Sequence, residues 1–374
     1  MKDIQKYEFI DALRGLAVLG VILVHVRSWV APPDYLVDKV EYGALGVQLF
    51  YVASAFTLFL SMSSRKSTER HPIKNFFIRR FFRIAPLFYL AVVFWLIKDG
   101  FTPRYWAPDG ISFWHILSTL TFTHGWHPHY PNAIVPVGWS IAVEMSFYVV
   151  VPFLFRFIGS LKRAIQATIF FLILGKGLSY IGNLVIASHF PESQKHLVSF
   201  FFGAFWLPAE MAVFGCGIVL YYLFRDYRNQ FLNQNLLIRR GFVIGSTITM
   251  LALTFVPVPS RLYPYSALFA LFAFGLSIDP MKLFVNRFTC YMGKISYSMY
   301  LVHFAVLSAV PWFLPQATGV GHLINYIAAY LVVLVLSILI SSITYRVIEV
   351  PGQLLGKRLI QFLERPRIKP ELPT

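Results

Sequence analysis

The residues with chemistry to offer sit inside stretches otherwise too apolar to face water. The first reads FIDALRGLAVLGVILVHV, and in it Arg14 and His25 stand eleven residues apart. On a helix that spacing is three turns and about 20°, so both side chains share a face about 16 Å apart along the axis, with Asp11 near the same line. One reading makes His25 a general base and Arg14 an anion clamp near its entrance. The plainer reading makes Asp11 and Arg14 an interfacial ion pair and His25 a hydrogen bonder between helices. A second stretch, VGWSIAVEMSFYVVVP, spaces Ser140, Glu144 and Tyr148 at i, i+4 and i+8 beside Trp139. That is a polar stripe on an apolar helix. A buried carboxylate needs a partner, and His25 is the predicted one, giving a dyad in which Glu144 orients the imidazole. In the plainer reading Glu144 only ties helices together.

Three further sets are weaker singly. In RRFFRIAPLFYL, Arg80 and Arg83 share a face with Arg79 beside them. The set suits bidentate phosphate binding, or merely anchors a span at a basic surface. GKISYSMYLVHF carries Ser296, Tyr300 and His303 at i, i+4 and i+7 with Tyr297 adjoining, and ITYRVIEVPG carries Tyr345 and Glu349 at i, i+4. Tyr and His at such positions often belong to interfacial belts. The run His124, Gly125, Trp126, His127, Pro128, His129 fits no common zinc spacing and has no carboxylate beside it, so it is read as an acceptor-side loop, and no metal site is expected.

The elements that must carry these residues are membrane helices. The 374-residue chain is 57% hydrophobic and only 13% charged, and its apolar blocks are about as long as a helix that crosses a hydrocarbon core. Without strand-type alternation, the expected fold is all-α, a polytopic transmembrane bundle with no soluble domain. Ten spans are predicted at 10–29, 43–61, 84–98, 138–157, 164–186, 200–223, 241–256, 262–279, 295–315 and 323–344. The first is read as an uncleaved span, because Arg14 and His25 lie within it and no small-x-small site follows. With the N-terminus inside, only Arg27, Lys39, Lys98, Arg104, Lys176, Lys195 and Arg261 of the 33 Lys and Arg fall in outer loops or mid-span. The net charge of +16 therefore reads as topology, with both termini cytoplasmic, rather than as a nucleic-acid footprint. The long outer segment 99–137 holds an apolar run, 111–123, too short to span and expected to be re-entrant or interfacial. Residues 1–356 are taken as the membrane domain and 357–374 as a short basic cytoplasmic tail, disordered or surface-bound. Cys216 and Cys290 fall on different spans, with neither a disulfide nor a thiolate site implied.

Taken together, the motifs resemble the membrane acyltransferase 3 family, which includes O-antigen and other polysaccharide O-acetyltransferases. From Phe9 to about Pro351 the chain carries, in order, DALRGLAVLGVILVH with its Arg-x10-His spacing, GVQLFYVASAF, RRFFRIAPLFY, VGWSIAVEMSFY, LPAEMAVFGCGIVL, GKISYSMYLVHF and a closing Y-x3-E-x-P. It departs from the family's usual GVDLFFVLSGF at Gln48 and Ala55, and no extracytoplasmic hydrolase-like domain of the kind fused to some relatives is expected. The resemblance implies a ten-helix bundle, and the short loops with no signal peptide expected suit a bacterial inner membrane. It also implies acetyl-CoA or another acyl-CoA as donor substrate, no tightly bound cofactor, and a glycan or lipid-linked sugar as acceptor. His25 and Arg14 then match the Arg-x10-His element, Arg80 and Arg83 the basic third-span entrance, and Ser140 with Glu144 the W-S-x3-E element. The rival reading is a proton-coupled transporter or flippase of a sugar, lipid or acyl carrier, although no inverted repeat is visible. Partners besides lipid are the donor and the acceptor, and the oligomeric state is left open.

Overall fold

A computed structural model describes residues 7–257, 260–313 and 321–364. Among these the fold is helical, and the one β-type pairing is an isolated bridge between Arg104 and Ala107. The order is α1 (Glu8–Val26), α2 (Asp34–Val40), α3 (Gly46–Arg65), α4 (Pro72–Asp99), α5 (Phe113–Leu120), α6 (Gly138–Phe157), α7 (Leu161–Ile181), α8 (Glu192–Ala204), α9 (Leu207–Leu232), α10 (Leu236–Leu253), α11 (Leu262–Ile278), α12 (Arg287–Lys294), α13 (Ser296–Phe313), α14 (His322–Thr344) and α15 (Val350–Glu364). Eight helical stretches among the described residues are long and apolar enough to cross a membrane, and α11 is a shorter apolar helix. Their outward faces are greasy: Ile97 is 81% exposed and Leu237 79%. That pattern is what lipid rather than water selects, and the chain is an integral membrane protein.

Helix α1 lies at the centre, buried against α3, α12, α13 and α14. It reaches α12 by backbone contact: a Cβ on Gly293 would stand 1.7 Å from the Asp11 carbonyl oxygen. Only glycine permits that approach, the small-residue packing that membrane helices use in place of a hydrophobic driving force. Helices α3 and α6 run parallel, since Tyr51 meets Ser140 while Ser54 meets Glu144. If α3, α4 and α6 each cross once, segment 99–137 must return to the side it left. It does so through the short helix α5 and a 3-10 turn at His124–Trp126, in keeping with the non-spanning helix expected at 111–123.

Several predicted boundaries move. The third span does not start near 84: α4 begins at Pro72, at its first turn where a missing N–H costs nothing, and runs through Pro86. Pro86 is buttressed by α15, where a Cβ on Gly352 would lie 2.8 Å from its Cγ. The predicted span 200–223 is two helices, broken at Phe205 and Trp206 before Pro208. Lys357 to Glu364, assigned to a tail, continue the helix α15. Residues 365–374, with Arg365 and Arg367, lie outside the described residues, as do Lys2, Lys6 and the predicted span end at 314–315.

Candidate active site

Helices α1, α3, α4, α6 and α13 surround a cavity enclosing about 650 Å³ of non-atom space, part of it open to solvent. Its lining includes Arg14, Tyr51, Ser54, Arg80, Arg83, Ser140, Glu144, Tyr148, Ser296, Tyr297 and Tyr300. The three arginines arrive from two helices, and their bonding differs. Arg14 donates to Thr57 Oγ1 at 3.2 Å and stands 3.7 Å from Asp11 Oδ1, so the predicted ion pair is present, though loose. Arg80 lies over the Phe76 and Tyr148 rings, each at 5.7 Å, and its buried Nε has no hydrogen-bond partner. Among the described residues, neither Arg80 nor Arg83 has a carboxylate within ion-pair distance. Guanidinium donors left unpaired in a buried cavity are costly unless an anionic ligand satisfies them.

Glu144 is held by its neighbours. Ser54 Oγ donates to Oε1 at 2.6 Å and the Tyr148 hydroxyl donates to the same oxygen at 2.7 Å. Across the cavity the Tyr300 hydroxyl and Ser140 Oγ are 2.6 Å apart, and the Tyr51 hydroxyl donates to the Ser140 carbonyl at 3.1 Å. Tyr297 donates to the Ile84 carbonyl at 2.6 Å, so its ring is fixed against α4. At the start of α6, Val137 has φ of 59°, a left-handed conformation rare for a β-branched residue. Its carbonyl accepts from Ser140 Oγ at 3.0 Å, so the strained turn aims the serine.

The predicted His25–Glu144 pair is not formed. Glu144 is taken by Ser54 and Tyr148, while His25 Nδ1 lies 3.0 Å from His303 Nε2. The physical reason is the helix order: α13, not α6, packs beside the His25 end of α1. Neither imidazole is among the cavity-lining residues; the Tyr300 ring, 5.8 Å from that of His303, stands between. Arg79 also parts from Arg80 and Arg83. Its Nη1 donates to Glu69 Oε1 at 2.7 Å, beside Arg65 on the same oxygen at 2.9 Å, and it faces a separate groove. Glu349 is buried and accepts from Ser298 Oγ at 3.0 Å and from Gln353 at 3.2 Å, joining α13 to α15, and Tyr345 packs beside the α13–α14 core. Trp139 stacks on Phe205, centroids 4.2 Å apart, behind the cavity wall. The sequence reading missed Tyr51, Ser54 and Thr57, although a hydroxyl inside an apolar span was a visible signal.

The histidines of segment 99–137 pack on aromatic rings. His115 and His127 lie 4.3 and 4.2 Å from Tyr130, and His129 lies 5.1 Å from Phe190. Burial pushes His127 down to about 4, with His129 and His115 adding repulsion.

Set against known families, residues 7–346 match the model described as an acyltransferase domain. The chain belongs to the acyltransferase 3 family. It is 24% identical to the O-acetyltransferase OatA of Staphylococcus aureus (strain NCTC 8325 / PS 47), over 95% of this chain and 58% of that protein. A putative O-acetyltransferase of Staphylococcus aureus (strain COL) is also 24% identical, over 97% of this chain and 59% of its own length. The chain thus spans less than two thirds of these curated relatives. Its departures from the family pattern both face α9. Gln48 Nε2 donates to buried Glu210 Oε1 at 3.2 Å, and Ala55 packs on Gly217, where a Cβ would come within 2.7 Å of the alanine Cβ and 2.4 Å of the Val52 carbonyl oxygen. An aspartate at position 48 would set two acids together. Gln48 supplies a donor instead, and the small residue of the contact comes from α9.

Proposed function

We propose that this acyltransferase-family chain moves an acyl group, acetyl in the first instance, from a cytoplasmic acyl-CoA to a hydroxyl of a glycan or lipid-linked sugar. It would do so in a bacterial inner membrane with both termini cytoplasmic. The observation that carries the reading is the cavity in which Arg14, Arg80 and Arg83 converge while the last two keep no carboxylate partner among the described residues. Phosphate groups match guanidinium geometry and would take up those donors. The donor's pantetheine arm would then run along the Tyr51, Ser140 and Tyr300 wall towards the outer end of α1. There His25 takes the proton of the acceptor hydroxyl as the oxygen attacks the thioester carbonyl. The C–S bond breaks, and the departing thiolate recovers that proton from the imidazolium. Glu144, bound to Ser54 and Tyr148, holds the cavity wall and offsets the positive charge rather than orienting the base.

The test uses purified protein in nanodiscs and measures acetyl-CoA binding and acyl transfer for wild type, Arg83→Ala and His25→Ala. Binding weakened by Arg83→Ala and spared by His25→Ala, with transfer lost by about a hundredfold or more in the latter, is the expected pattern. No binding of any short acyl-CoA would sink the donor assignment.

A further inference from the structure

The His25–His303 pair lies outside the cavity, and its hydrogen bonds determine more than its position. His303 Nδ1 is 3.1 Å from the Met299 carbonyl oxygen one turn earlier on α13. A carbonyl only accepts, so Nδ1 of His303 carries the proton. In the neutral ring, Nε2 of His303 is then an acceptor, and the atom it meets, His25 Nδ1 at 3.0 Å, must be the donor. That leaves Nε2 of His25 with a free lone pair. Turning either ring over would put carbon where nitrogen now bonds, so the orientation follows from the contacts themselves. The Phe304 ring packs against both imidazoles, at 4.7 and 4.8 Å, and their planes are nearly parallel, 25° apart. His303 is 0% exposed and neither ring bonds a carboxylate among the described residues, so a neutral pair is the state that burial favours. His25, by contrast, is only partly buried, which is where a base must meet its substrate.

We propose that His303, anchored by the Met299 carbonyl, is a positioning residue that fixes His25 in the Nδ1–H tautomer and leaves its Nε2 as the accepting nitrogen. The proposal rests on the acyl-transfer reading for its use, but the tautomer itself does not. In that use, Nε2 takes the proton from the acceptor hydroxyl, and the resulting imidazolium keeps its Nδ1–H bond to His303 until the proton passes to the thiolate. A neutral imidazole with a carbonyl behind it thus stands where hydrolytic triads place a carboxylate. Tyr300, one turn from His303 and bonded to Ser140, links the pair to the cavity wall.

The deciding experiment is nitrogen NMR of histidine-labelled wild-type protein in nanodiscs near neutral pH, with His25 and His303 assigned by single substitutions. Both should be protonated at Nδ1 and bare at Nε2. Finding His25 protonated at Nε2 overturns the proposal whatever the enzyme does. Two variants add a kinetic readout. His303→Gln, whose amide oxygen can accept from His25 Nδ1, should keep the tautomer and most of kcat. His303→Leu should lose the tautomer and about a hundredfold in kcat while acyl-CoA affinity changes less than about twofold. Equal kcat in His303→Leu and wild type would also overturn it, and if that variant fails to fold, the wild-type spectrum decides alone. Full transfer by His25→Ala would instead sink the acyl-transfer reading of this histidine and leave the tautomer assignment standing.

Discussion

Arg79 and Arg83 are one helical turn apart on α4, yet they serve opposite ends. Arg79 shares Glu69 Oε1 with Arg65, and Asn75 bridges Glu69 to Glu364 at the end of α15, while the Arg70 and His71 amides donate to the same Glu364 carboxylate. There one carboxylate answers two arginines and two distant segments are joined, although the buried Nε of Arg65 and of Arg79 find no partner among the described residues. Arg83 and Arg80 face the cavity with only aromatic faces and distant carboxylates for company. Paired charges join segments of the fold here, and on the proposed function the unpaired ones would take the phosphates of the donor. The largest expected effect follows directly. Arg83→Ala should raise the Kd of acetyl-CoA by about ten- to a hundredfold, the worth of charge-assisted phosphate bonds, while Arg79→Ala should move it less than about twofold. Equal losses in the two variants, by calorimetry or filter binding, would erase the distinction.

The reverse experiment tests the paired set. Glu69→Ala leaves Arg65 and Arg79 facing each other without their shared acceptor, so we expect a loss of about 1–3 kcal/mol in stability and unaltered acetyl-CoA affinity. A thermal melt in detergent reads the first and a binding isotherm the second. A drop in affinity would mean that the two sets communicate.

How far the sequence foretold this arrangement depends on whether an interaction is local. The helices and the Ser140, Glu144, Tyr148 stripe follow from periodicity within one segment, and the structure keeps the stripe together, whereas of the Ser296, Tyr300, His303 face only the first two line the cavity and His303 turns to His25. Partners across helices did not follow. Similar depth in the sequence pattern pairs His25 with Glu144, but depth is shared by every helix in the bundle and only packing order selects among them. Likewise nothing in RRFFR shows that its first arginine turns to Glu69, since that requires knowing where the α3–α4 connection folds back. The departures at Gln48 and Ala55 became intelligible only once α9 was seen against α3. A third prediction comes from that contact. Gly217→Ala should destabilise by about 1–3 kcal/mol, and Ala55→Gly should not rescue it, because the tighter clash is with the Val52 carbonyl oxygen and not with the Ala55 side chain. Rescue in a double-mutant cycle would place the contact elsewhere.

The smallest expected effect concerns the segment 99–137, where His115 and His124 are buried, His127 and His129 are half-buried, and none forms an ion pair among the described residues. Burial holds His124 and His127 down to about 4, and His129 is lowered less freely because Asp109 opposes the desolvation. In the unfolded chain these groups titrate near 6.5, so between that value and about 4 the unfolded state binds more protons than the folded one. Stability of the loop therefore rises with pH through this window, is complete above it, and falls as the pH drops from about 6.5 towards 4. Hydrogen exchange over residues 111–131, corrected for intrinsic rates, should be faster at pH 5 than at pH 7.5, while α1 and α3 change little. Arg104 adds to the lowering at His115, so Arg104→Gln should soften the pH dependence slightly there without touching His127. Exchange that is flat across the window would mean the loop opens without admitting water to these rings. A histidine kept neutral by packing alone would then be as firmly held as an arginine kept charged by Glu69.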